Sequence, residues 1–129
     1  MDVRQLLLLA GTMLAQLAGP VFAQDTNQPY VRVAEIEIDP SQLGAYKAAV
    51  KEQIEAAVQL EAGVLGLYAV ADQDNPAQVV VFEMYADLDA YKTHLETAHF
   101  KKYKVSTQDM VKSLRLRETV PLHLSAKRR

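Results

Sequence analysis

The stretch VLGLYAVADQDNPAQVVVFEMYA, from Val64 to Ala86, decides the fold. Its two ends, Val64 to Asp72 and Val79 to Ala86, are apolar runs rich in β-branched and aromatic residues, which favour strands. The segment between them, QDNPAQ, has the composition of a turn. Gly63, directly before the stretch, is a typical C-terminal stop for a helix. Two strands joined by a short polar turn predict an antiparallel hairpin.

The residues before the hairpin predict a strand followed by a helix. Apolar and polar residues alternate from Tyr30 to Ile38, which is typical of a strand. Asp39 or Ser41 is suited to cap a helix that has Pro40 in its first turn and runs to about Leu60. Spacings of three and four place an apolar stripe along this helix, formed by Leu43, Tyr46, Val50, Ile54 and Ala57. The helix therefore packs one face against the sheet.

The residues after the hairpin predict helices and a last strand. Asp87 is suited to cap a helix whose apolar face holds Leu88, Tyr91 and Leu95. Thr97 permits a break, and Ser106 and Asp109 have the spacing of a capping box, so two or three short helices are predicted. Alternation from Leu114 to Leu122 predicts the final strand.

The order strand, helix, strand, strand, helix, strand predicts an α+β fold, the ferredoxin-like βαββαβ arrangement with an antiparallel sheet. Helices cover one face of such a sheet. The other face is expected to carry an apolar patch drawn from Val31, Val33, Leu65, Leu67, Val80 and Phe82. A patch of that size does not stay exposed on a typical monomer. We therefore predict a homodimer in which two sheets stack face to face.

The first 23 residues form a separate segment. Arg4 precedes an apolar run of roughly fourteen residues, too short for a comfortable membrane span of about twenty. Val21 and Ala23 then occupy the −3 and −1 positions of a cleavage site. We predict a signal peptide over residues 1–23, a single mature domain over residues 24–129, and a periplasmic or secreted protein. An uncleaved anchor or a buried helix is the alternative.

Composition restricts the possible functions. The chain has 129 residues, enough for one domain, and a net charge of −2, so no strong attraction to nucleic acid or to a membrane surface is expected. It contains no cysteine, which excludes disulfides, thiolate catalysis and cysteine-ligated metal centres.

Two of the three histidines, His94 and His99, lie in the segment YKTHLETAHFKKY. On a continuous helix a spacing of five residues leaves their side chains about 140° apart. They would then not share a metal ion unless the helix breaks between them, and Glu96 faces elsewhere. The prediction is that no metal is bound. Each histidine is either functional or a surface or capping residue.

The segment from Glu61 to Tyr103 contains four short motifs. They are a glutamate and glycine before the second strand, an Asp-x-x-Asn-Pro hairpin, an aromatic-Glu-x-aromatic third strand, and a His-Leu-x-x-x-His-Phe motif. The residues are Glu61, Gly63, Asp72, Asn75, Pro76, Phe82, Glu83, Tyr85, His94, Leu95, His99 and Phe100. In these motifs the segment resembles the antibiotic biosynthesis monooxygenase family, which includes quinol monooxygenases.

The resemblance implies a dimeric α+β barrel with a small apolar cavity between the sheet and the helices of each subunit. It also implies oxygenation of a phenol or quinol without flavin, haem or metal. The residues of haem-degrading relatives are not matched, and the chain has no tryptophan. We predict an exported, cofactor-independent monooxygenase acting on a quinol or polyphenol-type aromatic molecule. A non-catalytic dimer that binds a small ligand in a stress response, or an isomerase, is the alternative.

In this reaction a base takes a phenolic proton and the anion is held in a water-poor pocket. Neutral imidazole suits the role of base near neutral pH, and His99 is favoured over His94 because a break at Thr97 would turn it toward the sheet. Tyr68 and Tyr85 are candidates to hydrogen-bond the ring oxygens.

Three further residues are predicted at the substrate site. Arg32 would stabilise the phenolate if it faces the cavity, and Phe100 would contact the substrate. Glu83 interrupts an apolar strand, so its carboxylate needs a partner or water. An ion pair with Arg115 or Arg117 is favoured over a catalytic role for Glu83.

Overall fold

The computed structural model describes residues 28–129, so the predicted signal peptide and its cleavage site lie outside the described residues. The described chain forms four strands and three α-helices in the predicted order. The sheet order is β2-β3-β1-β4, with every neighbouring pair antiparallel, and this is the ferredoxin-like arrangement. The elements are β1 (Tyr30–Ile38), α1 (Leu43–Leu60), β2 (Val64–Ala71), β3 (Gln78–Tyr85), α2 (Leu88–Leu95), α3 (Ala98–Thr107) and β4 (Val111–Glu118).

The predicted helix starts are confirmed by side-chain caps. The Asp39 carboxylate accepts from the backbone N–H of Ser41 and begins a short 3-10 turn that leads into α1. Asp87 caps α2 in the same way, accepting from the N–H of Ala90. The predicted break is also present, since Thr97 caps α3 by accepting from the N–H of Phe100. A carboxylate or hydroxyl at these positions satisfies a backbone donor that the helix itself leaves free.

Of the two or three short helices predicted after β3, the structure has two, and neither begins at Ser106. Ser106 lies within α3, where its hydroxyl donates to the carbonyl of Tyr103. The boundaries of β4 also differ from the prediction, because the strand runs from Val111 to Glu118 rather than from Leu114 to Leu122. Pairing with β1 fixes these ends, with Val111 opposite Ile38 and Glu118 opposite Arg32.

Gly63 has a different role from the one that the sequence suggested. Within the described residues no glycine has a positive φ, so Gly63 does not end α1 through a left-handed conformation. A Cβ placed on Gly63 would lie 2.5 Å from the Cβ of Ala90. The glycine is needed because α2 passes directly over this point of the chain. Its carbonyl also accepts from the N–H of Ala86 and so connects the start of β2 to the end of β3.

The helices cover one face of the sheet. The largest group of buried apolar residues on that face consists of Ala34, Ile36, Ile38, Tyr46, Val79 and Val81. Leu67 also lies on this face, packed with Ala57 and Tyr85, so its assignment to the open face was wrong. The register of β2 against β3 shifts between Val64 and Gly66. This irregularity interrupts the strict alternation of faces along β2, so Leu67 lies on the helix-covered face instead of the open face. Among residues 28–129, no helix has the length and apolar character that a membrane span requires.

Candidate functional site

A cavity of about 290 Å³ lies between the sheet and the helices. This volume is at the lower end of the range for small-molecule sites. Most of its wall is apolar, and the wall extends from the sheet to all three helices. The polar and charged exceptions that matter for chemistry are Arg32, Gln53, Glu83 and Lys104.

Arg32 and Glu83 enter the cavity from adjacent strands. They are cross-strand partners in the β1–β3 register, and both side chains point to the helix-covered face. The Arg32 side chain is buried, with its guanidinium carbon 4.3 Å from the centre of the Tyr91 ring. That position provides a cation–π contact but no anionic partner.

Glu83 is held by a tyrosine rather than by an arginine. The Tyr85 hydroxyl donates to Oε1 of Glu83 at 2.7 Å. Burial of the ring raises the pKa of Tyr85 above its usual value, and the neighbouring Glu83 carboxylate adds to the increase. Tyr85 therefore remains a protonated donor at neutral pH. The predicted ion pair of Glu83 with Arg115 or Arg117 is wrong, because both arginines lie beside Glu35.

Both histidines converge on one carboxylate outside the cavity wall. Nδ1 of His94 lies 2.8 Å and Nε2 of His99 lies 2.6 Å from the same Oε2 atom of Glu61. A carboxylate only accepts, so each imidazole donates an N–H to it. The helix break makes this possible, since His94 is in α2 and His99 in α3.

Gln53 connects this cluster to the cavity. Its Nε2 lies 3.1 Å from Nε2 of His94, and an amide nitrogen only donates, so His94 accepts there. Gln53 itself lines the cavity, and its Oε1 has no hydrogen-bond partner among the described residues. Glu61, His94 and Gln53 thus form a hydrogen-bonded chain that ends at the cavity wall.

The predicted site residues do not all meet at the cavity. Arg32, Glu83 and Phe100 line it, and Tyr85 reaches it through Glu83. Neither His94 nor His99 is part of the wall. His94 is the more deeply buried of the two, at 1% exposure of its side chain against 16% for His99. The preference for His99 as the inward-facing imidazole was therefore wrong.

Tyr68 lies on the opposite face of the sheet. It is paired with Phe82 across β2 and β3, and its ring is exposed and packs over Gly66. Leu67, the preceding residue, faces the cavity, so alternation along β2 directs Tyr68 away from it. A contact between Tyr68 and a molecule in this cavity of the same protomer is not possible.

Glu61, His94 and His99 are also the kind of donor set that binds divalent transition metals. Their three ligand-type atoms lie within 4.8 Å of one another. The argument from spacing along one continuous helix no longer applies, since the helix breaks and the carboxylate comes from α1. Hydrogen bonds nevertheless account for all three atoms, with two N–H donors directed at one carboxylate oxygen.

Sequence reasoning missed two residues of the site. Gln53 is a polar residue at the spacing of the apolar stripe of α1, three after Val50, and such a position is a signal for a buried polar contact. Lys104 lines the cavity from α3, and a lysine on a short, mostly polar helix carries no comparable signal. Glu61 was recognised only as part of the family motif, and its hydrogen bonds to the histidines were not predicted.

Comparison with known proteins agrees with this architecture. Residues 29–105 match the family model for antibiotic biosynthesis monooxygenase. A solved structure of a protein from Bacteroides thetaiotaomicron, assigned to that family, is 47% identical, with a TM-score of 0.76. The match covers 81% of this chain and 99% of that one. The chain belongs to the antibiotic biosynthesis monooxygenase family.

Other solved structures extend the likeness. A protein from Lactobacillus acidophilus assigned as a monooxygenase is 30% identical with a TM-score of 0.68, over 73% of this chain and 44% of that one. A protein from Nitrosomonas europaea, assigned to the same family, is 21% identical with a TM-score of 0.70, over 73% of this chain and 99% of that one, and it shows the fold alone. A comparison with curated proteins found no match.

Proposed function

We propose that this protein is a monooxygenase that inserts one oxygen atom of O2 into a small phenol or quinol without a bound cofactor. Membership of the antibiotic biosynthesis monooxygenase family supports the reaction type. The observation that carries the assignment to this cavity is the presence of a carboxylate, Glu83, in an otherwise largely apolar wall. An apolar site that holds one base suits a substrate that reacts as its anion.

In the proposed reaction Glu83 accepts the phenolic proton, and the electron-rich ring then reduces O2. One oxygen atom enters the ring and the other leaves as water, so that a quinol and O2 give a hydroxyquinone and water. The substrate supplies all four electrons. The Tyr85 hydroxyl positions the carboxylate through its 2.7 Å hydrogen bond, and Arg32 on the adjacent strand stabilises negative charge that develops on the substrate.

In this proposal the histidines are positioning residues. His94 holds the Gln53 amide at the cavity wall, and Glu61 holds His94 and His99 in place. The alternative in which an imidazole is the base requires a rearrangement, because neither ring lines the cavity.

Oxygen uptake above the uncatalysed rate, with naphthalene-1,4-diol under 18O2, tests the proposal. The expected product is the hydroxynaphthoquinone with one labelled oxygen, whereas simple autoxidation gives unlabelled naphthoquinone and peroxide. Glu83→Gln should lower kcat by about 100-fold or more. The matched control Glu55→Gln removes an exposed carboxylate of α1 that does not line the cavity, and it should leave kcat unchanged.

The His94→Ala, His99→Ala double variant separates the two possible bases. If an imidazole is the base, kcat of the double variant falls by about 100-fold while kcat of Glu83→Gln stays near the wild-type value, and the assignment to Glu83 is then wrong. Bound naphthalenediol without labelled product from the wild-type protein would instead support the non-catalytic ligand-binding alternative.

We also propose that the protein acts as a homodimer after export to the periplasm or beyond. The support for a dimer is the open face of the sheet, which presents exposed apolar side chains at Leu65, Tyr68, Val70 and Val80. The support for export is the composition of residues 1–23.

A further inference from the structure

Arg32 is a buried cation without an anionic partner. Its side chain is only 6% exposed although it lines the cavity. None of the ion pairs within 4.0 Å among the described residues includes Arg32, and its Nε atom has no hydrogen-bond partner there. The two carboxylates opposite Arg32 on the neighbouring strands have other partners. Glu83 accepts from the Tyr85 hydroxyl, and Glu118 accepts from the Tyr30 hydroxyl.

This arrangement is unfavourable unless a ligand completes it. A guanidinium stays protonated at any physiological pH, and its N–H donors lose water when the side chain is buried. The Tyr91 ring offsets part of this cost through the face that it presents to the guanidinium. It accepts no in-plane hydrogen bond, so the N–H groups that face the cavity still need an acceptor.

The charged residues of the cavity wall indicate the charge of the ligand that would supply this acceptor. Two cations, Arg32 and Lys104, and one carboxylate, Glu83, line the cavity, which leaves an excess of one positive charge. Lys104 is exposed and lies on α3, so it marks the open side, whereas Arg32 lies deep against the sheet. A ligand with one negative charge and an apolar body complements this wall.

We propose that the ligand of this cavity is a small phenolic carboxylic acid whose carboxylate binds Arg32. The inference rests on the proposed function because it specifies the substrate class of the same cavity. A neutral phenol, with an ordinary pKa near 10, enters uncharged and leaves the guanidinium unpaired until it reacts. A carboxylate enters already ionised, and its two oxygens match the planar fork of donors. The single excess charge favours this monoanion over a phosphate dianion.

Binding of two ligands that differ only in charge tests the proposal without requiring turnover. We would measure the Kd of 2-naphthoate and of 2-naphthamide by calorimetry at neutral pH and constant ionic strength. For the wild-type protein the acid should bind about 10- to 100-fold more tightly than the amide. Equal affinities, or no binding of the acid, would overturn the proposal.

Variants assign the preference to Arg32. Arg32→Met keeps the length and apolar stem of the side chain and should abolish the preference for the acid, while Arg32→Lys should retain part of it. Lys101→Met is the matched control, because it removes an exposed cation of α3 that does not line the cavity, and its preference should equal that of the wild type. A full preference for the acid in Arg32→Met would contradict the proposal.

Folding and function remain separable in this design. Arg32→Met replaces an unpaired buried charge by an apolar group, so its Tm should not fall below that of the wild type. A fall would assign Arg32 a structural role, and the acid–amide comparison on the wild-type protein would still decide whether an acid is preferred. If labelled oxygen enters naphthalenediol but the acid is not preferred, the monooxygenase proposal holds and the proposed ligand class is wrong. If the acid is preferred but no labelled oxygen is inserted, the proposed ligand class holds and the monooxygenase proposal is wrong.

Discussion

Nε2 of His99 lies 2.6 Å from Oε2 of Glu61, although 38 residues separate the two in the sequence. The contact joins the end of α1 to α3, and the carboxylate side chain is only 10% exposed. His94, from α2, donates to the same oxygen atom. One carboxylate, between the end of α1 and the start of β2, therefore connects all three helices.

Glu61→Gln should destabilise the protein by about 2 kcal/mol, because a neutral amide oxygen in the place of Oε2 accepts the two imidazole N–H groups less strongly than a carboxylate does. Urea unfolding at one fixed protein concentration measures the change. Glu55→Gln is the control, since its ion pair with Lys51 is exposed and contributes less than about 0.5 kcal/mol. Similar losses in the two variants would show that the Glu61 cluster does not stabilise the helix contacts.

The fold could be predicted because its signals are local. Strand alternation, turn composition and cap residues each act within a few positions, and Asp39, Asp87 and Thr97 all cap helices as expected. The errors arise where distant parts of the chain meet. The face of Leu67 depends on a register shift, and the role of Gly63 depends on the position of Ala90.

The candidate site was harder to predict because long-range pairing decides which functional groups meet. Arg32 and Glu83 share the cavity only because β1 pairs with β3 in one register. The histidines do not line the cavity, and both contact Glu61, a residue from another element. No spacing within the segment of the histidines contains that information.

Stability should fall above a pH of about 10 because three buried tyrosines resist ionisation. Burial raises the pKa of Tyr46, Tyr85 and Tyr103 above the ordinary value of 10.0, and the hydroxyls of Tyr46 and Tyr103 are 2.8 Å apart. A raised pKa means that the unfolded chain loses these protons first as the pH rises. The contribution to stability is complete below pH 10 and decreases above it.

Each such group lowers the free energy of unfolding by about 1.4 kcal/mol per pH unit above the pKa of the unfolded chain. Denaturant titrations at a series of alkaline pH values, with tyrosinate absorbance as a second probe, measure this slope. Tyr46→Phe removes one ionising group and should make the slope shallower. An unchanged slope in this variant would exclude Tyr46 as a contributor.

Gly63→Ala should destabilise the protein by about 1 to 3 kcal/mol, because the new methyl group overlaps the Cβ of Ala90. Ala90→Gly in the same chain should recover part of this loss, which would identify the overlap as the cause. Gly44→Ala is a control that should increase stability instead of lowering it. No atom lies within 4 Å of a Cβ at Gly44, and alanine in α1 should stabilise by up to about 1 kcal/mol. Thermal unfolding of the four proteins provides the comparison.

Cleavage between Ala23 and Gln24 is the prediction for the exported protein. The full chain, expressed in a bacterium with a secretory pathway, should be recovered from the periplasm or medium with the mass of residues 24–129. Ala23→Arg places a large charge at the −1 position and should leave the precursor uncut. Recovery of the wild-type protein with residues 1–23 attached would indicate an anchor instead.

Dimerisation through the open face of the sheet is tested by introducing one charged side chain on that face. Val70 is 62% exposed on that face. A single protomer of Val70→Glu should therefore be as stable as a single wild-type protomer. Two such carboxylates brought together in a stacked pair of sheets lose water and repel each other, so the dimer should dissociate. Sedimentation velocity over a range of concentrations measures the assembly.

Leu60→Glu is the matched control for the dimer interface. Leu60 is 71% exposed at the end of α1, away from the open face, and the same charge there should leave the assembly unchanged. A wild-type protein that sediments as a monomer at all concentrations would overturn the proposed dimer. Dissociation by Leu60→Glu, with an intact dimer in Val70→Glu, would instead place the interface on the helices, because a carboxylate disrupts only the contact in which it is buried.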